Sequence, residues 1–228
     1  MNPIIISLGN DCTLAIILRE LNKRIAAFPF DWLETDISMV PLLFYNRFND
    51  FLNNDNVKKF RKNNWYKSGK GNVDKYFMDT KYNTFHHHDE YNDEVLDKYT
   101  RRCLRLINLL ESDENIIFIR YKLFEFQDKD NLLKWVHSNR NEHYEIKQHK
   151  LYERLSKNID LDTFYLCELS KVIKNTYKCT NFKIIYYIPI PLYDNKIKYK
   201  DMEIFNVFVE TYDHDNMKES LKTKINKI

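Results

Sequence analysis

The stretch Ile4-Ile5-Ile6-Ser7-Leu8-Gly9-Asn10-Asp11-Cys12, with Leu14, Ala15, Ile17, Leu18 and Leu21 behind it, decides the fold. Ile4 to Leu8 is a short continuous apolar run rich in β-branched residues and stopped by a glycine, which suits a strand buried on both faces. From Cys12 to Leu21 the apolar residues recur at intervals of three and four, as the buried face of a helix does, and Asn10 or Asp11 can cap its start. Strand, tight turn and helix in that order are the opening unit of a layered α/β fold.

The remaining chain repeats the theme. Val95 to Leu110 has a helical period through Leu96, Tyr99, Cys103, Leu106, Ile107 and Leu110, and Ile116 to Ile119 follows as a buried strand. Leu132 to Val136 and Tyr165 to Ile173 add helical patterns, while Phe182 to Ile188 and Ile204 to Val209 read as late strands. Phe28-Pro29-Phe30-Asp31-Trp32-Leu33 is expected to be an extended, buried connection, because its aromatics need apolar partners and its proline restricts the backbone. Strands separated by helices predict an α/β architecture with a mainly parallel central sheet flanked by helices. Residues 1–210 are expected to form a single domain, followed by a polar, lysine-rich tail over 211–228 that frays or forms a surface helix.

Composition narrows the function classes. With 43% apolar and 15% aromatic residues among 228, the chain buries a core, and only three glycines and five prolines leave no material for collagenous or linker-like structure. The 36 basic and 33 acidic residues are interspersed, which provides no electrostatic footprint for nucleic acid. Neither a signal peptide nor a run of membrane-spanning length is visible, and the four cysteines are not paired in disulfide or zinc spacing. The expected location is the cytoplasm, with reduced thiols, no membrane partner, no metal and no cofactor. Nothing in the sequence sets an oligomeric state.

Cys12 is the residue whose position carries chemistry. A thiol at a helix N-terminus faces unpaired amides and the positive end of the dipole, which favour the thiolate, and the same amides can hold an oxyanion. Asp11 beside it opposes ionisation, and a small buried residue under the helix is the plainer reading. A base is available in Phe85-His86-His87-His88-Asp89-Glu90. Adjacent histidines point in alternating directions and rarely share one metal, and the same run also fits a polar surface loop. His137, His143 and His149 are six apart, which turns successive helical side chains by about 240° and spreads them around an axis. Arg120, at the end of a predicted strand, is placed to bind a carboxylate or phosphate. Asp31 reads equally as a buried capping carboxylate and as the group that orients a catalytic imidazole.

The blocks Ile5 to Cys12, Ala15 to Arg19, Phe28 to Trp32, Phe85 to Asp89, Tyr99 to Arg102 and Ile117 to Arg120 together resemble a family described as papain-like cysteine peptidases, found in bacteria and large DNA viruses. The resemblance covers roughly the first half of the chain, and its SLGxxC and PFDW elements are the specific ones. It implies a thiol hydrolase acting on a peptide or other acyl substrate, with Cys12 as nucleophile and His88, directly before Asp89, as base; the catalytic candidate beside them, read from the residue itself, is Asp31 as third member of a triad. Asn10, Asp11, His87, Asp89 and Arg120 would line the binding site. Three adjacent histidines depart from the single histidine of the family block, so His87 stays open beside His88. A thiolate–imidazolium couple would bring Cys12 well below its ordinary pKa of about 8.5, with its sulfur lining a cleft. Two other readings remain. Strand, glycine turn, reactive side chain and helix also describe the nucleophile block of SGNH-type esterases, for which Asp213-His214 is the nearest C-terminal pair. A non-catalytic binding or host-interaction module of viral origin could keep the same blocks for folding.

Overall fold

A computed structural model of the chain describes residues 2–61, 75–86, 89–122, 159–189, 199–213 and 216–228. The helical pattern over Leu132 to Val136, the histidines His87, His88, His137, His143, His149 and His214, and the rest of residues 123–158 lie outside the described residues.

Among the described residues the strands are β1 (Ile4–Ser7), β2 (Glu34–Thr35), β3 (Val57–Arg61), β4 (Lys75–Asp79), β5 (Thr84–His86), β6 (Ile116–Tyr121), β7 (Phe182–Pro189) and β8 (Val207–Tyr212). The α-helices are α1 (Thr13–Glu20), α2 (Val40–Tyr45), α3 (Asp93–Leu110), α4 (Ile159–Val172) and α5 (Met217–Asn226). The fold is α/β. Its central sheet has the order β1-β6-β7-β8 with every pairing parallel.

Alternation along the strands separates two apolar layers. Ile6, Phe118, Ile184 and Tyr186 join a large core with α3 and α4 on one face, while Ile5, Ile117, Ile119, Ile185 and Tyr187 join a smaller core with α1 and α5 on the other. Strands buried on both faces read as continuous apolar runs, which is why β1, β6 and β7 are visible in the sequence.

A second sheet, of order β2-β5-β4-β3 and antiparallel throughout, was not foreseen. β2 has two residues and β3 reads Val-Lys-Lys-Phe-Arg, too short and too basic to signal a buried strand. Phe28 to Leu33 is buried as expected, except for a half-buried Trp32. Its backbone is turned, since the amides of Asp31 and Leu33 donate to the carbonyls of Phe28 and Phe30 at 3.4 Å each. The last strand begins at Val207 rather than Ile204, because a 3-10 turn over Tyr199–Phe205 and a left-handed Asn206 (φ 58°) precede it.

The segment expected as a polar tail supplies the end of β8 and all of α5. Leu221 and Ile225 of that helix are 0% exposed, and Lys218 and Lys222 reach Glu20 of α1 at 2.8 Å each. No described helix is long and apolar enough to cross a membrane.

Candidate functional site

At the carboxyl edge of β1 the chain turns sharply at Gly9, whose φ of +64° is a left-handed conformation that side chains resist. The turn is also close-fitting, since a Cβ at position 9 would lie 3.0 Å from the Phe30 carbonyl oxygen and 3.1 Å from Thr35 Cγ2. The Gly9 amide donates to Ser7 Oγ at 3.1 Å. Thr35, from β2, donates its hydroxyl to the Leu8 and Gly9 carbonyls.

Arg120 completes this arrangement from β6. Only 2% exposed, it donates through Nη1 to Leu8 O at 3.1 Å, to Gly9 O and to Thr35 Oγ1 at 2.9 Å, and through Nη2 to Thr35 O at 2.9 Å. A longer contact of 3.4 Å reaches Asn10 Oδ1, and the Asn10 amide group donates to Tyr121 O at 3.0 Å. The expected ligand contacts Arg120 and Asn10 are therefore turned inward, onto the backbone of the turn that carries Cys12. A buried guanidinium has to be surrounded by acceptors, and loop carbonyls provide them without bringing in a second buried charge. Burial pushes Arg120 below the usual arginine range.

Cys12 is the N-cap residue of α1 and is half-buried. Its side chain makes no capping bond. Asp11 caps instead, accepting the Thr13 amide at 2.7 Å. The thiol is pushed above its ordinary value, chiefly by burial, then by the charge of Asp11, with a smaller push from Glu34, while the Cys12 backbone amide acts the other way. Helix position alone had suggested a lowered value. Desolvation and two carboxylates outweigh a helix end whose dipole effect falls off within one turn. A surface concavity is lined by Tyr45, Asn46, Arg47, Asn49 and Asp50, none of them in the Cys12 turn.

The histidine run divides. His86 is 1% exposed at the end of β5, its ring stacked on Phe77 (centroids 4.1 Å apart) and edge-on to Tyr99 (5.0 Å), with Nε2 3.1 Å from Thr84 Oγ1. It is a core residue. Asp89 is half-buried and pairs with Lys98 at 2.5 Å.

Asp31 is held as a turn brace. Its Oδ2 accepts Arg24 Nη2 at 2.7 Å, Arg24 Nε at 3.0 Å and the Phe28 amide at 3.0 Å. Burial pushes its carboxyl up, against the opposing pull of those partners and of Arg102. The capping reading of Asp31 accounts for these bonds, and Arg24 is the partner that the sequence did not nominate.

Beyond the Cys12 turn, Lys122 and Asp162 form an ion pair of 2.7 Å with side chains 2% and 7% exposed, and the Tyr186 hydroxyl donates to the same carboxylate oxygen at 2.6 Å. Tyr212 donates to Lys122 O at 2.6 Å. This polar cluster at the sheet edge was missed, although Lys122 follows Arg120 by two residues. Asp162 comes from a helix about forty positions away, and no local spacing connects them. Among the described residues no group of histidine, cysteine, aspartate or glutamate side chains is arranged to hold a metal ion.

A family described as "Putative papain-like cysteine peptidase (DUF1796)" matches residues 4–148, which extends past Arg120, where the recognisable blocks end. No curated protein and no solved structure matches the chain.

Proposed function

Because the chain belongs to the family described as "Putative papain-like cysteine peptidase (DUF1796)", we propose that it is a thiol hydrolase in which Cys12 attacks an acyl carbon of a peptide or related substrate. The observation that supports this best is the placement of Cys12: half-exposed, at the N-cap of α1, on a turn whose carbonyls are fixed by Arg120 and Thr35. A nucleophile on a preorganised turn meets its substrate without reordering the backbone. The base is His88, with His87 as the other candidate, since His86 is occupied in the aromatic core.

The raised thiol indicates how the step runs. At rest the sulfur keeps its proton, so the imidazole takes it as the S–C bond forms, and returns it to the leaving group as the acyl–enzyme develops. Water then attacks the thioester, with the same imidazole as base. The Thr13 amide is held by Asp11, so the oxyanion is left to the Cys12 amide and its first-turn neighbours. Asp89 is the carboxylate available to orient the base, and Asp31 braces the turn.

One observation favours a binding module instead, because a thiol held above its ordinary pKa by burial is the condition of an inert cysteine. Iodoacetamide labelling near neutral pH separates the two. The hydrolase requires Cys12 to label faster than the half-exposed Cys167, and to lose that advantage in His88→Ala or His87→Ala. Equal sluggishness of Cys12 and Cys167 with both histidines present would leave only the binding module.

A further inference from the structure

Arg120, Tyr121 and Lys122, at the carboxyl end of β6, each hold something different. Arg120 donates to the carbonyls of Leu8 and Gly9, and the Tyr121 carbonyl accepts the Asn10 amide group at 3.0 Å, so the turn that carries Cys12 hangs on the end of this strand. Lys122 is fixed from the other side. Its Nζ lies 2.7 Å from Asp162 Oδ2, its backbone amide donates to Tyr187 O at 2.8 Å, and its carbonyl accepts the Tyr212 hydroxyl at 2.6 Å. Asp162 sits in the first turn of α4 and accepts the Tyr186 hydroxyl at 2.6 Å on the same oxygen.

Alternation along β6 puts Arg120 and Lys122 on the face that α4 covers, with Phe118, and Tyr121 on the opposite face. Two cations, each 2% exposed, therefore share one face, and the acceptors that Arg120 reaches are uncharged carbonyls, a hydroxyl and an amide oxygen. Asp162, 5% exposed, is the carboxylate between them. It pairs with Lys122, and among the described residues its charge most strongly opposes the lowering that burial imposes on Arg120.

We infer that Asp162 is a positioning residue for the Cys12 turn, acting through Lys122 and Arg120. It lies beyond residues 4–148, so the candidate nucleophile is held in part by a helix outside the stretch that the family matches. The physical reason is charge. Without Asp162 two buried cations are left uncompensated, and a buried cation in that condition moves toward water or gives up its proton. A lysine can lose its proton, whereas a guanidinium cannot, so Arg120 is the group that shifts and the Leu8 and Gly9 carbonyls lose their hold. For a hydrolase this loosens the nucleophile, a consequence that rests on the function proposed above. The coupling of Asp162 to the turn does not.

The test is iodoacetamide labelling of Cys12 across pH in the intact protein, with Cys167 as internal reference, since it is half-exposed and lies further along α4. Asp162→Asn keeps the shape of the side chain and removes its charge. A loosened turn is better hydrated, and burial is the chief cause that raises the Cys12 thiol. The midpoint of Cys12 labelling should therefore fall by about half a pH unit and its rate near neutral pH rise about threefold, with Cys167 unchanged. Tyr186→Phe, which keeps the ion pair and removes one hydroxyl bond, should act in the same direction by a smaller factor. Cys12 labelling no faster than in the wild type overturns the inference, read in Asp162→Asn or, should that variant not fold, in Tyr186→Phe. Equal acceleration of Cys12 and Cys167 overturns it too, because it reports a general opening of α4. The hydrolase reading is decided separately by His88→Ala and His87→Ala, which leave this comparison intact.

Discussion

Replacing Gly9 by alanine tests the turn that carries Cys12. A non-glycine residue in the left-handed region costs about 1–2 kcal/mol. The new Cβ would meet Phe30 O at 3.0 Å, Phe30 Cβ at 3.1 Å and Thr35 Cγ2 at 3.1 Å, closer than ordinary van der Waals contact. Overpacking of that kind costs about 1–3 kcal/mol, while the smaller conformational freedom of unfolded alanine offsets about 0.4–1 kcal/mol. The net loss is about 1–5 kcal/mol, read as a lower urea midpoint at unchanged slope. Thr35→Ser supplies the control. It removes the methyl at 3.1 Å but keeps the hydroxyl that donates to Leu8 O at 3.1 Å. Combined with Gly9→Ala it should recover about 1 kcal/mol beyond additivity, the range expected for groups in direct contact. Part of the loss must persist, because Phe30 O is backbone and cannot be trimmed. A Gly9→Ala cost below about 0.5 kcal/mol would refute both the left-handed turn and its tight contact with β2.

Other expectations concern charge and packing. In Asp11→Asn the pH midpoint of Cys12 alkylation should fall, because a neighbouring negative charge that disfavours the thiolate is gone; an unchanged midpoint would mean that burial alone sets it. Asp31→Ala should cost about 2–3 kcal/mol by urea unfolding, less than a fully buried pair because the Arg24 side chain is 20% exposed. Asp31→Asn should cost less, since its amide oxygen can still accept the Phe28 N–H, and a change confined to Cys12 reactivity would instead restore Asp31 as an orienting group. The raised Asp31 carboxyl also has a sign. Its folded form holds the proton more tightly than the unfolded form, so its own contribution to stability falls as pH rises through the folded value, and Asp31→Asn should flatten that part of the curve. Leu221→Ala in α5 should cost about 2–5 kcal/mol, whereas a frayed tail would lose almost nothing.

The sequence by itself determined the parts whose signal is local and periodic. β1, α1, α3, β6 and β7 announce themselves because a strand buried on both faces is continuously apolar, and a helix with one buried face repeats every three to four residues. The same local reading placed Cys12 at the start of α1 and named Asp11 as a possible cap. Tertiary structure decided what surrounds them. Arg120 read as a ligand contact until its acceptors were visible, and these come from Leu8, Gly9 and Thr35, with Gly9 111 positions and Thr35 85 positions away in the chain. His86 could not be told from its neighbours by spacing, and is distinguished by Phe77 stacked on one face and Tyr99 at its edge. β2 and β5 form a ladder of two paired residues, too short to carry a period, and exist because their partners supply the remaining hydrogen bonds. Burial and charge proximity are sums over neighbours brought in by folding, so the direction in which the Cys12 thiol shifts had to wait for the positions of Asp11 and Glu34 around it.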